Sequence, residues 1–292
     1  CVFLEGFKTK DGSPLPLIVQ KRDETYLYAT TDLAALDYRI NKLGVDQIVY
    51  VTDARQKLHF QMIFDCAAKM GWADSVNLRH VTFGSILGSD GKPFKTRQGE
   101  SVKLEALLDE AEQRATEVVK QKNADSETPL SEDQKQRIAL AVGMGAIKYA
   151  DLANNRTSDY VFSFDKMLAL TGNTAPYLQY AYARINSIFR KGGIAPPGGG
   201  PFELIDDAER ALGLQLVRLP EAIDGAMLDF RPNVLTTYLY DLATAFTTFY
   251  EQCPVLKSAE PARSHRLSLC ALTSRTIKQG LALLGIDVIG QM

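Results

Sequence analysis

Cysteine and long apolar runs are both scarce in this chain of 292 residues. No two cysteines form a C-x-x-C pair, which excludes the common zinc signatures and a disulfide framework; they are Cys1, Cys66, Cys253 and Cys270. We therefore expect a reducing compartment, the cytoplasm. No run approaches the ~20 apolar residues that cross a bilayer, so we expect no membrane partner.

Neither sign of charge is in excess. The chain has 33 Lys and Arg against 35 Asp and Glu, a formal net charge of −2. This balance excludes a globally basic nucleic-acid binder, so any contact with nucleic acid must use a local basic patch. Because no acidic cluster suggests a metal cage and no long heptad pattern suggests a dimer, we expect a monomer without a protein-bound metal.

Apolar residues make up 46% of the sequence, which is enough for two domains. The first 130 residues alternate strand-like and helix-like patterns and predict βαβ units in a Rossmann-like α/β domain. Strands are expected at 26–30, 47–51 and 78–86, and helices at 32–39, 54–70 and 104–122. Gly44 and Gly71 are natural helix stops.

Residues 131–292 have mostly helical patterns, which predict an all-helical second domain. The expected helices lie at 138–153, 177–191, 203–218, 234–252 and 263–284. A Gly- and Pro-rich interruption at 192–201 predicts a surface loop. Five apolar residues recur at helical spacing and are most simply core: Leu235, Leu239, Leu242, Phe246 and Phe249.

Polar residues follow two of the predicted strands. Tyr28 and Asp32 stand at the end of the first, and Gln56 follows the second. Ligands of doubly wound sheets bind at the carboxyl ends of strands, and a carboxylate beside a phenol can bind a guanidinium. Local sequence alone favours a plainer interpretation, in which Asp32 caps the next helix and the other two residues have no special role.

A glycine- and lysine-rich segment, GSDGKPFKTRQGE (88–100), follows the third predicted strand. It does not match a Walker A loop. It could be a surface hairpin turn with solvated lysines or a loop that binds phosphate, and the spacing alone does not separate the two.

Two stretches, YLYATTDLAALDYRI (26–40) and QIVYVTDARQKLHFQMIF (47–64), together resemble the catalytic domain of arginyl-tRNA synthetases, a class I family. The resemblance implies that Tyr28 and Asp32 recognise the arginine guanidinium and that Gln56 holds the amino-acid end. His59 would lie on the ATP side, although core packing is equally open for this residue.

In class I synthetases a KMSKS loop stabilises charge on the triphosphate. Here KPFKT (92–96) stands in that place and departs from the KMSKS consensus. In this departure it resembles the bacterial arginyl enzymes. The resemblance implies that Lys95, and after it Lys92, carries this catalytic role by electrostatic stabilisation. The family's HIGH motif is absent, and the chain starts at Cys1 within structured sequence. We therefore expect an N-terminally truncated chain that cannot form arginyl-adenylate alone.

The helical half resembles the anticodon-binding domain of the same family, in TGNTAPYLQYAYARINSIFRK (171–191) and in the C-terminal stretch. Single-stranded RNA is bound by aromatic rings beside cations, which makes Tyr180, Arg184 and Met292 candidate tRNA contacts. Packing between helices is the alternative for each tyrosine here. The segment Asn154-Asn155-Arg156 is either a further contact or a turn.

Taken together, the resemblance implies an arginine–tRNA ligase. Such an enzyme uses ATP with Mg²⁺ to form arginyl-adenylate and transfers arginine to its tRNA. A non-catalytic tRNA-binding module with a decayed nucleotide domain is the alternative. It is less favoured because Tyr28, Asp32 and Gln56 are all present.

Overall fold

A computed structural model describes residues 1–74, 76–88, 90–92, 103–124 and 129–291. The chain divides into two compact units, Cys1–Gly84 and Ser85–Met292. No helix in the described ranges is long and apolar enough to cross a membrane. The domain boundary expected after residue 130 stays a prediction.

The first unit is a small α/β structure. Strands β1 (Val2–Lys8) and β2 (Pro14–Leu17) pair in antiparallel fashion. Strands β3 (Gln47–Asp53) and β4 (Asn77–Phe83) pair in parallel, with Gln47 opposite Asn77 and Asp53 opposite Phe83. Helix α2 (Lys57–Lys69) connects β3 to β4, so the expected βαβ unit is confirmed.

The strand expected at 26–30 is wrong, because helix α1 already begins at Tyr28 and runs to Asp37. Ala29, Leu33 and Leu36 are buried along one helical face, at the i, i+4 and i+7 spacing of an amphipathic helix. This burial outweighs the strand preference of the neighbouring tyrosines and threonines. A π-helical turn, Tyr38–Lys42, continues α1, and Gly44, with a φ of +63°, lies just beyond it, as expected.

The second unit is mainly helical. Two short strands, β5 (Ile86–Leu87) and β6 (Tyr160–Val161), pair in parallel. The helices are α3 (Leu104–Ala124), α4 (Glu132–Leu152), α5 (Phe164–Met167), α6 (Ala175–Gly192), α7 (Asp207–Val217), α8 (Leu219–Leu228), α9 (Pro232–Gln252) and α10 (Ala262–Leu283). An α/β region followed by helices is therefore confirmed.

Helices α7 and α8 differ from what the sequence predicted. Helix α7 begins at Asp207 rather than near residue 203, because Asp206 and Glu209 form a capping box that fixes its start. Helix α8 was missing from the prediction. Its apolar residues do follow the helical spacing, at Leu219, Ala222, Ile223, Ala226 and Met227, so the sequence carried the signal for this helix.

Helix α9 is the centre of the helical core. All five apolar residues expected to face the core are buried there, including Leu239 and Phe246. Helix α10 approaches α9 closely at Gly280, where an added Cβ would stand 2.5 Å from Leu239 Cδ2. A side chain at this position would force the fully buried Leu239 side chain to move.

Candidate functional site

Asp32 and His59 meet in the first unit. Asp32 lies in the second turn of α1 and His59 in the first turn of α2, and His59 Nε2 is 2.6 Å from Asp32 Oδ2. Their side chains are 32% and 30% exposed, so both remain open to a ligand. The capping interpretation of Asp32 is wrong, because α1 starts four residues earlier and Leu27 is its N-cap residue.

Tyr28 lies one helical turn before Asp32, on the same side of α1. Its side chain is largely open, with the residue 87% exposed. The phenol ring is thus available for stacking beside a carboxylate. A planar cation with several N–H donors, such as a guanidinium, could bind both groups at once.

Gln56 ends a short 3₁₀ turn, Ala54–Gln56, between β3 and α2. The turn is fixed by Asp53, whose Oδ1 accepts a hydrogen bond from the Arg55 amide at 2.7 Å. The Arg55 side chain also donates to Asp53, and this hydrogen bond is the main reason why the pKa of Asp53 is lowered. Asp53 is therefore already paired, whereas the exposed Gln56 side chain stands three residues before His59.

A polar cluster next to His59 was not predicted. Thr52 Oγ1 lies 2.7 Å from His80 Nε2, and burial followed by the charge of His59 lowers the pKa of His80. On the same strand, Tyr50 accepts a hydrogen bond from Arg39 at 2.8 Å. The alternation of Tyr50 and Thr52 on one face of β3 is the signal that could have indicated this cluster.

The glycine- and lysine-rich segment forms a turn where the structure describes it. The Gly88 amide donates to the Lys92 carbonyl at 2.7 Å, and the Lys92 amide donates to Asp90 Oδ1 at 3.1 Å. Gly91 has a φ of +71°, which suits glycine. The Lys92 side chain is exposed. Lys95 lies outside the described residues.

The candidate RNA contacts on α6 lie in two different environments. Tyr180 is 39% exposed, whereas Arg184 stacks over the ring of Tyr250 with its Cζ 4.5 Å from the ring centroid. Tyr177 packs against Tyr240, with ring centroids 5.6 Å apart, and so takes the packing role. Met292 lies outside the described residues.

The Asn154-Asn155-Arg156 segment is a turn with a structural anchor. Asn155 Oδ1 accepts a hydrogen bond from the Thr157 amide at 3.2 Å. Arg156 donates to the backbone carbonyls of Asp229 (3.1 Å) and Phe230 (3.0 Å). These bonds tie the turn to the connection between α8 and α9.

Among the described residues, one group has the composition of a metal site: Asp206, Glu209 and Cys253. The Arg266 guanidinium donates to both carboxylates, at 2.6 Å to Glu209 Oε1. The cluster is thus a satisfied ion-pair network in the helical core. Burial raises the pKa of Cys253, which keeps its thiol protonated.

Two family models match the chain. Residues 1–164 match the model described as tRNA synthetases class I (R), catalytic domain, and residues 178–292 match the DALR anticodon binding domain. The arginine–tRNA ligase of Cellvibrio japonicus is 51% identical over 100% of this chain and 50% of its own length. The Synechocystis sp. ligase is 52% identical with the same coverage.

Solved structures give the same picture. Arginyl-tRNA synthetase from Plasmodium falciparum matches with a TM-score of 0.80 and 34% identity, over 98% of this chain and 48% of that one. The Thermus thermophilus enzyme matches with a TM-score of 0.81 and 26% identity, over 94% and 51%. The chain thus spans about half the length of these relatives.

Proposed function

Since the chain belongs to the family of class I tRNA synthetases (R) and carries a DALR anticodon-binding domain, we propose that it forms half of an arginine–tRNA ligase. The full enzyme would join arginine to ATP, release pyrophosphate, and transfer arginine from the adenylate to the 3′ end of its tRNA. The observation that carries the proposal is the open Asp32 carboxylate, oriented by His59, with the free Tyr28 ring one turn away.

In this proposal the first unit recognises arginine. Asp32 accepts hydrogen bonds from the guanidinium, and Tyr28 stacks on its plane. The hydrogen bond to His59 fixes the Asp32 rotamer, so less side-chain entropy is lost when arginine binds. Gln56 holds the amino-acid end, and His59 also borders the nucleotide.

The lysines of the 88–100 segment act on the triphosphate. Lys95, with Lys92 as the second cation, stabilises the charge that develops as pyrophosphate leaves, and no covalent intermediate with the protein is needed. Mg²⁺ arrives with ATP, because it usually binds nucleotide phosphates and few protein ligands.

In this proposal the helical unit binds the anticodon of the tRNA. Tyr180 offers an exposed ring for stacking, and Arg184 offers a cation already held against Tyr250. Met292 is a third candidate contact. The protein works as a monomer in the cytoplasm.

Binding to RNA tests the helical half. Transcripts of an arginine tRNA and of another tRNA are titrated with the chain across a salt series. We expect tighter binding to the arginine tRNA, weakened by changed anticodon bases and by salt. Equal binding to both transcripts would refute anticodon recognition by this chain.

Arginine-dependent exchange of pyrophosphate into ATP tests the catalytic half. We expect none from the present chain, and activity from a protein extended to the full length of its relatives. Exchange by the present chain would contradict the first expectation. A longer protein that binds tRNA but neither binds arginine nor exchanges pyrophosphate would favour the non-catalytic tRNA-binding module.

A further inference from the structure

The segment that follows α10 is fixed at three of its carbonyl groups by side chains of α4 and α6. We call residues 284–291 the tail. Its three anchors are Lys148 Nζ to Gly285 O (2.6 Å), Gln179 Nε2 to Asp287 O (2.8 Å) and Arg190 Nη1 to Gly290 O (2.7 Å). Two of the donors are charged, and such hydrogen bonds are stronger than neutral ones.

Burial supports the same attachment. Ile286 and Ile289 of the tail are buried, and so is the whole side chain of Gln179. The Gln179 amide nitrogen also donates to the Ala141 carbonyl of α4 at 3.0 Å, so it links α4, α6 and the tail. Chain ends usually fray unless they are tied down. The tail is therefore held in place and forms part of the surface of the helical unit.

The tail forms one wall of a recess of about 420 Å³. We call it the two-arginine recess, because Arg137 of α4 and Arg190 at the end of α6 both line it. Its floor is apolar, from residues such as Ile138 and Val288, and Gln134 also borders it. None of the described residues that line it is acidic. Asp287 borders a neighbouring recess, which Arg137 also lines.

Both arginines have hydrogen-bonding capacity left for a ligand. Arg137 is exposed, and its Nε donates to the Asp133 carbonyl of its own helix at 3.3 Å. Arg190 is exposed and uses Nη1 for the tail. A guanidinium has five N–H donors in a planar fork that suits phosphate oxygens.

We propose that the two-arginine recess binds a phosphodiester group of RNA, held by Arg137 and Arg190. This inference rests on the proposed function, because α6 also carries Tyr180 and Arg184. Those residues precede Arg190 by about 15 and 9 Å along the helix axis. A strand stacked on Tyr180 could therefore place a phosphate further along the same strand in the recess. Arg190 has a second role, since it positions the tail that forms the recess wall.

Salt dependence of binding separates a phosphate interaction from a base interaction. Removing one protein–phosphate interaction with single-stranded nucleic acid lowers the slope of log affinity against log salt by about 0.7. The probes are the arginine tRNA transcript and a single-stranded oligoribonucleotide with its anticodon-loop sequence. We expect Arg137→Gln and Arg190→Gln each to reduce the slope by about 0.7 and the affinity at low salt by about tenfold.

Three further measurements isolate the cause. Arg190→Lys keeps the charge and should keep the slope. Arg210→Gln, which removes an exposed arginine of α7 paired with Asp207, should change neither slope nor affinity. Hydrogen exchange of the tail amides should rise in Arg190→Gln and stay unchanged in Arg137→Gln. Arg137→Gln thus tests the interaction with phosphate while the tail stays in place.

The outcomes separate this inference from the proposed function. If the folded Arg137→Gln chain has the wild-type salt slope, phosphate binding in the recess is refuted, even if the arginine tRNA is still preferred. The chain could also show no preference for the arginine tRNA while both glutamine variants still lower the salt slope. That result would refute anticodon recognition and support phosphate binding in the recess. If Arg190→Gln fails to fold, Arg137→Gln and Arg190→Lys decide the matter. No RNA binding by the unmodified chain would overturn the recess as well.

Discussion

The ion pairs of the two units differ in how far they are exposed to solvent. In the first unit the Asp32–His59 pair is about one-third exposed, and apolar Val51 is open to solvent as well. In the second unit the ion pair of Glu209 and Arg266 is almost fully enclosed, with 3% and 12% of the side chains exposed. One pair is thus accessible to solvent, and the other is enclosed between helices.

This difference follows from how much core each unit possesses. The helical unit packs α9 against α6, α7, α8 and α10 around a continuous apolar cluster. The first unit has only two-stranded sheets, which are marginally stable without further packing. Binding groups are often found in the less stable parts of proteins, because they must stay accessible. We therefore expect the first unit to unfold before the second.

Core truncations give the largest expected effect and test whether the units unfold separately. Phe246→Ala should cost the helical unit about 3–5 kcal/mol, and Ile63→Ala should cost the first unit about 2–5 kcal/mol. Both side chains are almost fully buried. Trp72 is the single tryptophan of the chain, so its fluorescence reports the first unit, while far-UV circular dichroism reports mainly the helical unit.

Under denaturant titration, Phe246→Ala should shift the circular dichroism transition and leave the Trp72 transition in place. Ile63→Ala should do the reverse. If both probes shift together in both variants, the two units unfold as one and the contrast between them disappears.

The next largest effect on stability is expected when the enclosed ion pair of Glu209 and Arg266 is broken. Arg266→Met leaves the buried Glu209 carboxylate with only its backbone donors, the Ile205 and Asp206 amides. We expect a loss of about 3 kcal/mol from the helical unit, because an unpaired buried charge is costly. Adding Glu209→Gln to this variant should recover part of the loss, because the charge is then removed. Equal stability of Arg266→Met and wild type would show that the pair contributes nothing.

The same pair gives the helical unit a pH dependence. Burial alone would raise the pKa of Glu209, but hydrogen bonds from Arg266 and the two amides bring it below its ordinary value near 4.5. A lowered pKa in the folded state stabilises the protein above pH 4.5 and loses that contribution as the pH falls through the folded value. Denaturant titrations at pH 7 and at stepwise lower pH should show this loss in wild type and a smaller loss in Arg266→Met.

Apolar periodicity predicted most of the fold. The helices at 54–70 and 234–252 follow the 3.6-residue period closely, and their burial agrees. It failed at 26–30, where the tyrosines and threonines suggested a strand while Ala29 and Leu33 already lay on a helical face. Helix α8 was missing from the prediction although its apolar residues follow the same period. Propensity and period conflict in the first case, whereas in the second the period is present in the sequence.

The site was harder to predict than the fold. Asp32 and His59 stand 27 residues apart, so their hydrogen bond depends on how α1 and α2 pack, and local sequence even favoured the wrong role for Asp32. Only the resemblance to a family nominated both residues. Arg137 lies in no motif, whereas Arg190 lies in the stretch 171–191 that resembles the anticodon-binding domain. They become neighbours of one recess because α4, α6 and the tail pack together.

The smallest effect on stability is expected at the exposed pair, where the effect on ligand binding should be large. Asp32→Asn should change the free energy of unfolding of the first unit by no more than about 0.5 kcal/mol, because the side chain is partly solvated. In a protein extended to the length of its relatives, the same change should weaken arginine binding about a hundredfold. The reason is that a neutral amide cannot form the charge-assisted pair with a guanidinium.

Asp37→Asn is the matched control, because Asp37 lies at the end of the same helix α1 and its carboxylate already accepts a hydrogen bond from Asn41. Calorimetric titration with arginine should give the wild-type affinity for this variant. Equal losses in both variants would mean that overall negative charge attracts arginine and that Asp32 has no special position. A large loss of stability in Asp32→Asn would mean that the Asp32–His59 pair holds the fold, as the Glu209–Arg266 pair does, and the contrast between the units would then fail at its central point.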